Sequence, residues 1–502
     1  LGVWQPIRYG GSYGTNGFYL PFTNTTSTTT LGYDFSPNGN NWTTNNISLT
    51  AGSTYDSMTD VPTLTSATAA NYCVLNPLYR GYGGYTATPL TISNANLTIT
   101  GNASANNIAA TMALPTTGQF YYEYVWTATA GGEMDGGIIG ESGIPYYYRY
   151  DGTYYNGSTY VSYGAAYTTN DVIGVAVDMT NLTFTFYKNN VSQGTKTSAF
   201  PSGITYFPWF YTSNTVAASV NFGQRPFSYT PPTGYVALNT YNLPTSTIVK
   251  GNSYMDATAY TGTNGSPTTQ TLSLNFQPDF LWFKKRSAVY DHALIDTNRG
   301  ITKQLYSNLT NAEGTDSDVL TAIGTSSFTV GNSNYSNYGT LVAWTWKANA
   351  GSTSSNASGS ITSTVQVNAT AGFSIVTYTG NGTGGATVGH GLGVAPKFLI
   401  VKNRVQGTYG NWNVWHTTLT GSQYLTLNDT SAASTNTNRW NGTVPTSTVF
   451  SLGADSFGNT NKSGDTYVAY LWAAIAGYSA FGSYTGNGSS DGVFVYTGFL
   501  PR

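Results

Sequence analysis

The chain of 502 residues has few ionisable side chains. Lys and Arg total 19 and Asp and Glu total 21, so charged residues make up 8% of the sequence, against about 25% in an average soluble domain. A formal net charge of -2 gives no basic surface that could gather phosphates, which excludes nucleic-acid binding by counterion release. The hydroxyl and amide groups of Ser, Thr and Asn must therefore keep the protein soluble.

Cysteine and histidine are scarce as well. Cys73 is the one cysteine, which excludes a disulfide within the chain and a zinc site built from several cysteines. His292, His390 and His416 lie far apart in the sequence, so we expect no metal site and no cofactor. The sequence also lacks a run of about 18 apolar residues, and we expect no insertion into a membrane.

Aromatic residues, in contrast, reach 15% of the chain. Within residues 120–126 and 182–187 apolar and polar side chains alternate, which is the period of a strand with one buried face. Short Gly- and Asn-rich stretches such as 188–190 separate these runs and are typical of turns between antiparallel strands. The sequence therefore predicts an all-β protein built from β-sandwiches.

The phrase Tyr-Thr-Gly recurs along the second half of the chain. Three copies of a longer repeat open on it, at Tyr260, Tyr378 and Tyr484, and Tyr378 lies 118 residues after Tyr260. In each of the first two copies a proline, Pro278 or Pro396, precedes an apolar run, and these prolines are also 118 residues apart. A repeat of this length is a whole small domain, so the pattern predicts tandem domains arranged as beads on a string.

Aromatic runs close the first two copies, at 342–346 and 468–472. Because Trp344 and Trp472 alternate with other residues in these runs, we expect both in the core. The third copy ends at Pro501-Arg502, where the matching strand should begin. We therefore expect the molecule to continue beyond Arg502; the alternative is that the short tail pairs with a sheet edge of another subunit.

Four separated phrases carry a resemblance to a known family. They are Gly-Gln-Phe-Tyr-Tyr-Glu at 118–123, Asp-Val-Ile-Gly-Val-Ala-Val-Asp at 171–178, Phe-Thr-Phe-Tyr-Lys-Asn-Asn-Val at 184–191 and Val-Asn-Phe-Gly-Gln-Arg-Pro-Phe at 220–227. In this order the segment resembles the SPRY (B30.2-like) domain family. The resemblance implies a bent sandwich of two sheets, a concanavalin-like jelly roll, that binds partners through loops at one rim and carries no catalytic residues.

The order of the other phrases resembles that of a second group. Tyr-Gly-Thr-Asn-Gly-Phe-Tyr-Leu at 13–20, Asn-Tyr-Cys-Val-Leu-Asn-Pro at 71–77, the SPRY-like segment, Leu-Asn-Thr-Tyr-Asn-Leu-Pro at 238–244 and the Tyr-Thr-Gly copies follow one another. This arrangement looks like tail-fibre and other appendage proteins of tailed bacteriophages. It implies an extracellular protein on the virion surface that is usually assigned to host attachment.

These patterns divide the chain into five segments. We expect an extended N-terminal connector over 1–85, the SPRY-like β-sandwich over 86–245, β-repeat domains over 246–350 and 351–478, and the start of an incomplete third repeat over 479–502. The connector has too little regular periodicity to build a core of its own and should lie on neighbouring surfaces.

Glu133 and Asp135 could serve as the carboxylate pair of a glycoside hydrolase, which needs an acid and a nucleophile or base. Residues two apart on a strand face the same way. However, Gly131-Gly132 and Gly136-Gly137 flank the pair and are typical of a turn or an edge. We therefore expect no catalytic residues.

Six tyrosines lie close together in a segment with the composition of a loop. Packing six phenols into one core would leave hydroxyls without partners, so we expect some of them to face solvent or a neighbour at the rim of the SPRY-like domain. A glycan site, packing between subunits and simple surface decoration are all compatible with such a group. The six are Tyr146, Tyr147, Tyr148, Tyr150, Tyr154 and Tyr155.

Together with the two resemblances, these features predict a structural, non-enzymatic virion appendage, such as a tail fibre. It would present β-sandwich domains for attachment to the host surface, with glycan binding as one option. Its partners would be further copies of itself, with a trimer as the expected oligomer, other virion proteins, and a glycan or protein of the host surface. Two alternatives stay open: a head-decoration fibre or adaptor without receptor binding, and a capsule-degrading glycosidase.

Overall fold

The structure is a computed structural model, and it describes residues 7–61, 66, 69–80, 90–102, 105–128, 131–490, 492 and 494–499. The predicted ending at Pro501-Arg502 and part of the predicted connector lie outside the described residues. The chain divides into two compact units, which we call unit 1 and unit 2. Unit 1 comprises Leu1–Thr245 and Gly486–Tyr496, and unit 2 comprises Ser246–Thr485 and Thr497–Arg502.

Strands and loops make up nearly all of the described chain. The α-helices α1 (Thr28–Leu31) and α2 (Thr437–Trp440) have four residues each, and a 3-10 turn spans Gly251–Ser253. None of the described helices is long and apolar enough to cross a membrane. The prediction of an all-β protein is confirmed.

Unit 1 contains an antiparallel sandwich of two sheets. Its segments are rich in Thr, Val, Ile and aromatic residues, which suit a pleated and half-buried surface. The described strands are β1 (Leu75–Arg80), β2 (Thr91–Ser93), β3 (Thr98–Thr100), β4 (Asn106–Ala110), β5 (Gln119–Ala128), β6 (Met134–Gly140), β7 (Pro145–Tyr148), β8 (Thr153–Tyr155), β9 (Tyr160–Ser162), β10 (Val172–Asp178), β11 (Thr183–Lys188), β12 (Val191–Lys196), β13 (Tyr206–Thr212), β14 (Ala217–Asn221) and β15 (Val236–Ala237).

The two sheets of unit 1 enclose one core. The first sheet has the order β1-β4-β13-β6-β7-β8-β9 and the second the order β12-β11-β10-β5-β14-β3-β2, with β15 parallel to β5. Ile138 and Phe210 from the first sheet meet Tyr122 and Val175 from the second in this core. Burying each side chain of this size contributes about 1.5 to 3 kcal/mol, and the predicted sandwich is confirmed.

The N-terminal connector folds locally around the carboxylate of Asp34. Its oxygens accept the backbone N–H groups of Tyr19 (2.8 Å), Ser36 (2.7 Å) and Asn40 (2.7 Å) and the hydroxyl of Ser36 (2.7 Å). Desolvation raises the pKa of Asp34, but these hydrogen bonds outweigh it and lower the pKa to about 2. The connector is thus ordered in this stretch without belonging to a sheet.

Farther along, the connector lies on the sandwich of unit 1. The N–H of Gly52 donates to the carbonyl of Pro226 at 3.2 Å. The buried guanidinium of Arg225 donates to the carbonyl of Ser53 at 2.6 Å, and desolvation lowers the pKa of Arg225. Residues 52 and 53 thus contact the segment that follows β14, while the connector and the boundaries of the five segments stay predictions.

Unit 2 contains two large sheets, each with a small sheet beside it. The described strands are β16 (Met255–Thr261), β17 (Gln270–Ser273), β18 (Phe280–Lys285), β19 (Ala293–Asp296), β20 (Lys303–Tyr306), β21 (Gly314–Thr315), β22 (Ala322–Gly324), β23 (Ser327–Val330), β24 (Thr340–Trp346), β25 (Ser354–Asn356), β26 (Ser363–Asn368), β27 (Phe373–Thr379), β28 (Ala386–Gly389), β29 (Phe398–Asn403), β30 (Asn413–His416), β31 (Gln423–Thr426), β32 (Ser434–Thr435), β33 (Val449–Leu452) and β34 (Thr466–Trp472).

The two large sheets of unit 2 have the same order of equivalent strands. The first is β16-β24-β18-β19-β20-β21, and the second contains β27-β34-β29-β30-β31-β32, extended by β26 and β25 beyond β27. Phe373 and Phe398 begin strands 118 residues after Met255 and Phe280 begin theirs. The small sheets β17-β23-β22 and β28-β33 each share a core with one face of their own large sheet.

The large sheets pack against each other through their remaining faces. The ring of Phe280 stacks on that of Tyr470 with 4.2 Å between centroids, and Trp346 lies 5.8 Å from Trp472. Phe398 pairs with Trp472 across strands as Phe280 pairs with Trp346, so both copies contribute the same face. The copies share one core and do not form the separate beads that the repeat led us to expect.

The two tryptophans expected in the core differ in burial. Trp472 is 9% exposed and packs in the shared core. Trp344 is only half-buried, and its ring meets that of Trp282 edge-on at 6.3 Å. Ala343 occupies the face of β24 that points into the core of the first copy, so Trp344 lies on the opposite and less covered face.

Buried charges connect the first copy to the second. The guanidinium of Arg299, whose side chain is fully buried, donates to Asp296 (2.5 Å) and to Glu313 (2.9 Å). Arg404 of the second copy binds the same Glu313 through two N–H groups at 2.9 and 2.8 Å, and the Tyr470 hydroxyl donates to Asp296 at 2.7 Å. Burial raises the pKa of Glu313, but the two guanidinium groups bring it below its ordinary value.

The positions of the second copy that are equivalent to Arg299 and Glu313 hold uncharged residues. Leu419 lies 120 residues after Arg299 and Ala433 lies 120 residues after Glu313, the spacing that also separates the starts of β19 and β30. Arg286, 118 residues before Arg404, is exposed, and the described residues give it no ion pair. The charge network therefore joins the copies on one side only.

We expect Arg299→Met to destabilise unit 2 by about 3 to 5 kcal/mol, because it leaves the buried Asp296 carboxylate without its cation and leaves Glu313 with Arg404 alone. Urea unfolding followed by tryptophan fluorescence measures the loss. Arg286→Met is the matched control at the exposed equivalent of Arg404 and should change stability by less than about 0.5 kcal/mol. Equal effects of the two substitutions would contradict this account of the network.

Lys402 lies buried where the copies meet. Its ammonium donates to the carbonyls of Thr310 in the first copy (2.8 Å) and of Gly410 in the second. It also lies 5.9 Å from the centre of the Trp412 ring. Burial lowers the pKa of Lys402 to about 7.

A lowered lysine pKa makes stability depend on pH. Between pH 7 and the ordinary lysine value of about 10.4 the unfolded chain holds a proton that the native chain lacks, so stability rises with pH. From pH 7 to 9 we expect the free energy of unfolding to rise by at most about 2 to 3 kcal/mol, measured by urea titration. Lys402→Met should lack this rise, and an identical pH dependence in both proteins would contradict the assignment.

Candidate functional site

Aromatic rings form a row across the first sheet of unit 1. Trp209 on β13 pairs with Gly137 on β6, which pairs with Tyr147 on β7, and Tyr155 on β8 and Tyr160 on β9 continue the line. The ring centroids are 5.0 Å apart for Trp209 and Tyr147, 5.3 Å for Tyr147 and Tyr155, and 5.0 Å for Tyr155 and Tyr160. We call these four aromatic residues the aromatic row.

The row lies on the face of the sheet turned away from the sandwich core. Tyr147 and Trp209 belong to one apolar cluster, whereas Tyr148 and Phe210, which follow them in sequence, belong to the core. This division follows from the alternation of side chains along each strand. Every second residue of β6, β7 and β13 thus faces away from the sandwich core, where Trp209 and Tyr147 are 1% and 5% exposed.

Gly137 supplies no side chain to the row, and the packing requires this. A Cβ atom at this position would lie 2.1 Å from the carbonyl oxygen of Tyr146 and 2.6 Å from the Cα of Tyr147. A Cβ atom at Gly136 would lie 2.4 Å from the ring of Tyr124 in the core. The expectation that these glycines mark a turn or an edge is wrong, because they lie inside β6 and let rings approach the backbone on both faces.

Three of the six predicted tyrosines point into the sandwich core. Tyr146, Tyr148 and Tyr154 lie on β7 and β8 and are 6%, 0% and 2% exposed. The hydroxyl of Tyr154 donates to the carbonyl of Ala199 at 2.9 Å and that of Tyr148 to the carbonyl of Ala165. Burial raises the pKa of all three. The prediction of a loop rim is wrong for all three. Inside the sandwich, backbone carbonyls accept the hydroxyls of Tyr148 and Tyr154, so these phenols do not lack partners.

The other three predicted tyrosines have mixed positions. Tyr147 is on the outer face but only 5% exposed. Tyr150 is half-buried and meets the ring of Trp126 edge-on at 6.3 Å. Tyr155 is half-buried within the aromatic row. Of the six predicted residues, the structure therefore brings Tyr147 and Tyr155 together in one surface feature.

Tyr155 and Tyr160 form the exposed end of the aromatic row. Tyr160 is 51% exposed. Its hydroxyl lies 2.9 Å from that of Tyr147, and the guanidinium of Arg149 lies over its ring at 5.2 Å. These two contacts hold an exposed ring in one orientation.

Trp209, Tyr160 and Arg149 were not identified from the sequence. The turn 156–159 between β8 and β9 begins with Asn-Gly, a composition typical of hairpins. Reading that turn as a hairpin would have placed Tyr155 opposite Tyr160. Nothing in the sequence signals the distant Trp209, whose place in the row depends on the strand order.

Charged groups flank the exposed end. The guanidinium of Arg149 binds the carboxylates of Glu133 at 2.8 Å and Asp151 at 2.6 Å, and these three side chains are 25%, 27% and 34% exposed. Burial lowers the pKa of Arg149, but the carboxyl groups of Glu133, Asp135 and Asp151 raise it above its ordinary value. Burial raises the pKa of Asp151, but hydrogen bonds from Thr153 and the charge of Arg149 outweigh it. The guanidinium and the Asp151 carboxylate therefore stay ionised at neutral pH.

Glu133 and Asp135 do not form a catalytic arrangement. Asp135 is 1% exposed and accepts the N–H of Tyr150 at 3.0 Å. Burial raises its pKa well above the ordinary value and favours the protonated form. A general acid must reach the oxygen that it protonates, which a buried carboxyl group cannot do, and the carboxylate of Glu133 is bound to Arg149.

The three histidines have separate local roles. His390 is buried between the N–H of Leu392 and the carbonyl of Thr446, each 3.2 Å from a ring nitrogen, and burial lowers its pKa. His416 Nδ1 lies 2.8 Å from the Thr418 hydroxyl. In the part of the chain that the structure describes, no group of three or more His, Cys, Asp or Glu side chains is placed to hold a metal ion.

Gly137→Ala tests the close packing of the aromatic row. Because the added methyl group meets the backbone of β7, we expect a loss of about 1 to 3 kcal/mol, measured as a lower thermal midpoint of unit 1. Gly10→Ala is the control, since a Cβ atom there has no neighbour within 4 Å. If Gly137→Ala left the thermal midpoint unchanged, β7 could move away from β6 without a loss of stability.

Two family matches cover different parts of the chain. Residues 124–225 match the SPRY domain family, and residues 250–502 match a family described as "Domain of unknown function (DUF7483)". No curated protein matches the chain. The SPRY match agrees with the family resemblance of the segment and contains most of the first sheet, including the whole aromatic row.

Three solved structures are similar to part of the chain. The SPRY domain of human HERC1 is 16% identical, and the match covers 29% of this chain and 96% of that chain with a TM-score of 0.23. A human SPRY domain is 17% identical, with 27% and 97% covered and a TM-score of 0.22. Stonustoxin is 16% identical, with 30% and 27% covered and a TM-score of 0.23.

The SPRY match lies within unit 1, and most of the second match lies in unit 2. The second match begins four residues after unit 2 begins, and it spans half of the 502 residues. The protein carries a SPRY domain in its first half and belongs to the DUF7483 family.

Proposed function

We propose that the protein is a non-enzymatic appendage of a tailed-bacteriophage virion, a tail fibre or similar projection, that presents its β-sandwiches for attachment to the host surface. The observation that carries this proposal is the aromatic row, which ends at the exposed Tyr160 beside Arg149 on the outside of the sandwich. Rings held in place and open to solvent suit a surface for binding. The phrases that resemble phage appendage proteins point to the same role.

The surface chemistry also suits an extracellular particle. With 8% charged residues, the protein depends little on ionic attractions, which salt screens beyond a Debye length of about 8 Å at physiological ionic strength. Hydroxyl and amide groups remain hydrated in salt. Such a surface serves a protein on the outside of a virion, at high local concentration.

The Tyr-Thr-Gly phrases support a duplicated spacer unit. The hydroxyls of Tyr260 and Tyr378 donate to carbonyls in the loop before the closing strand of their own copy, at 2.6 and 2.7 Å. A Cβ atom at Gly262 or Gly380 would lie 2.2 or 2.4 Å from backbone atoms of that same loop. The phrase therefore makes the same contact in both copies, and the two face-to-face copies form a stiff element suited to a fibre.

The purely structural alternative has an observation of its own. The connector exposes large aromatic side chains, with Phe18 45%, Phe22 54% and Trp42 54% exposed. Such side chains suit contact with another virion protein or with another copy of the chain. On this alternative the protein decorates or links parts of the particle, without a receptor, and a trimer remains the expected oligomer.

Electron microscopy of intact phage particles with gold-labelled antibody against this chain tests the proposal. We expect label on a tail or capsid projection, and binding of the purified protein to host cells. Light scattering should give three times the chain mass of 53.5 kDa for the expected trimer. Label on particles without any cell binding would favour the structural alternative, and no label on particles would exclude both.

A further inference from the structure

The exposed end of the aromatic row combines ring faces with ionised planar groups. The centroids of Tyr155 and Tyr160 lie 5.0 Å apart with 49° between their planes, so the two rings are tilted against each other, and Tyr160 is 51% exposed. The carboxylates of Glu133 and Asp151 and the guanidinium of Arg149 lie beside it. We propose that this end of the row binds an uncharged saccharide of the host surface, an inference that rests on the proposed attachment function.

The rings supply the apolar half of such a site. A pyranose presents a face of C–H groups, which packs on the electron-rich face of an aromatic ring. Tyr160 offers this area at 51% exposure. Its ring is already held by the hydroxyl of Tyr147 and by Arg149, so little conformational freedom is lost on binding.

The ionised groups supply the polar half. Carboxylate and guanidinium groups form paired, planar hydrogen bonds, a geometry that fits neighbouring hydroxyl groups of a sugar ring. The side chains of Glu133 and Asp151 are bound to Arg149 and are still 27% and 34% exposed. The salt bridges therefore fix the direction of the oxygens and leave part of each carboxylate open to a ligand.

The balance of charge selects the kind of saccharide. The carboxylates of Glu133 and Asp151 outnumber the one guanidinium, that of Arg149, at this surface. An acidic sugar would place a third carboxylate next to the first two, where like charges repel. The surface therefore fits uncharged hexoses and N-acetylhexosamines, and disfavours uronic and sialic acids.

Saccharide titrations of the full-length protein test the inference. The probes are oligomers of glucose, mannose and N-acetylglucosamine, with oligogalacturonate as the acidic comparison, followed by calorimetry and ligand-observed NMR. We expect binding of at least one uncharged probe and weaker binding of the acidic one. Tyr160→Ala should weaken binding by about tenfold, the value of roughly one aromatic contact.

Two variants separate a ring effect from general damage. Tyr160→Phe keeps the ring and should retain most of the binding. Trp42→Ala removes an aromatic side chain that is 54% exposed in the connector and should leave saccharide binding unchanged. Thermal midpoints of all variants should match that of the original chain, because both sites are on the surface.

Several results would overturn the inference. They are no binding of any uncharged probe, preference for oligogalacturonate, and unchanged binding by Tyr160→Ala. A change of oligomeric state caused by Tyr160→Ala would show instead that copies of the chain meet at this surface. Cell binding that survives Tyr160→Ala and is not competed by the uncharged probes would leave the attachment function standing and remove the saccharide site. Saccharide binding by the purified protein without label on the particles would support the saccharide site and exclude the attachment function on a virion.

Discussion

The fold depends on burying phenol rings whose hydroxyls find partners inside the protein. Tyr122 donates to the carbonyl of Gly137 at 2.5 Å and Tyr154 to that of Ala199 at 2.9 Å, while Tyr470 donates to a buried carboxylate. An unpaired hydroxyl in such a place costs about 1 to 3 kcal/mol. A chain with 41 tyrosines and 8% charged residues can build large cores only because its strands and loops place carbonyls where these rings end.

The same constraint explains how unit 2 is assembled. Each copy has one face that meets its own small sheet and one aromatic face that meets the other copy. Stacking of Phe280 on Tyr470 buries apolar area but hardly distinguishes the first copy from the second, because both copies present similar rings. The network of Arg299, Glu313 and Arg404 exists on one side only, and this asymmetry distinguishes the first copy from the second. Buried ion pairs that fix one arrangement among similar ones are a known use of such groups.

Local pattern predicted much of the fold and little of the candidate site. Alternation in 120–126 and 182–187 placed strands, because period two is a property of the strand itself. The run Tyr146-Tyr147-Tyr148 has no such alternation, since both faces of β7 are covered and accept rings, and its composition alone predicts a loop. The row joins Trp209 to Tyr147 through Gly137, and only the order of strands brings these distant positions together. The shared face of the two copies was missed for the same reason: an apolar face can be recognised in a sequence, but its partner cannot.

The face-to-face contact between the copies has a consequence for any longer array of this kind. Each copy packs its aromatic face against the other copy, so this face is not available to a further module. A single module added in series would leave its own aromatic face exposed to water unless a second module packed against it. Such a contact therefore favours extension in pairs, to an even number of modules.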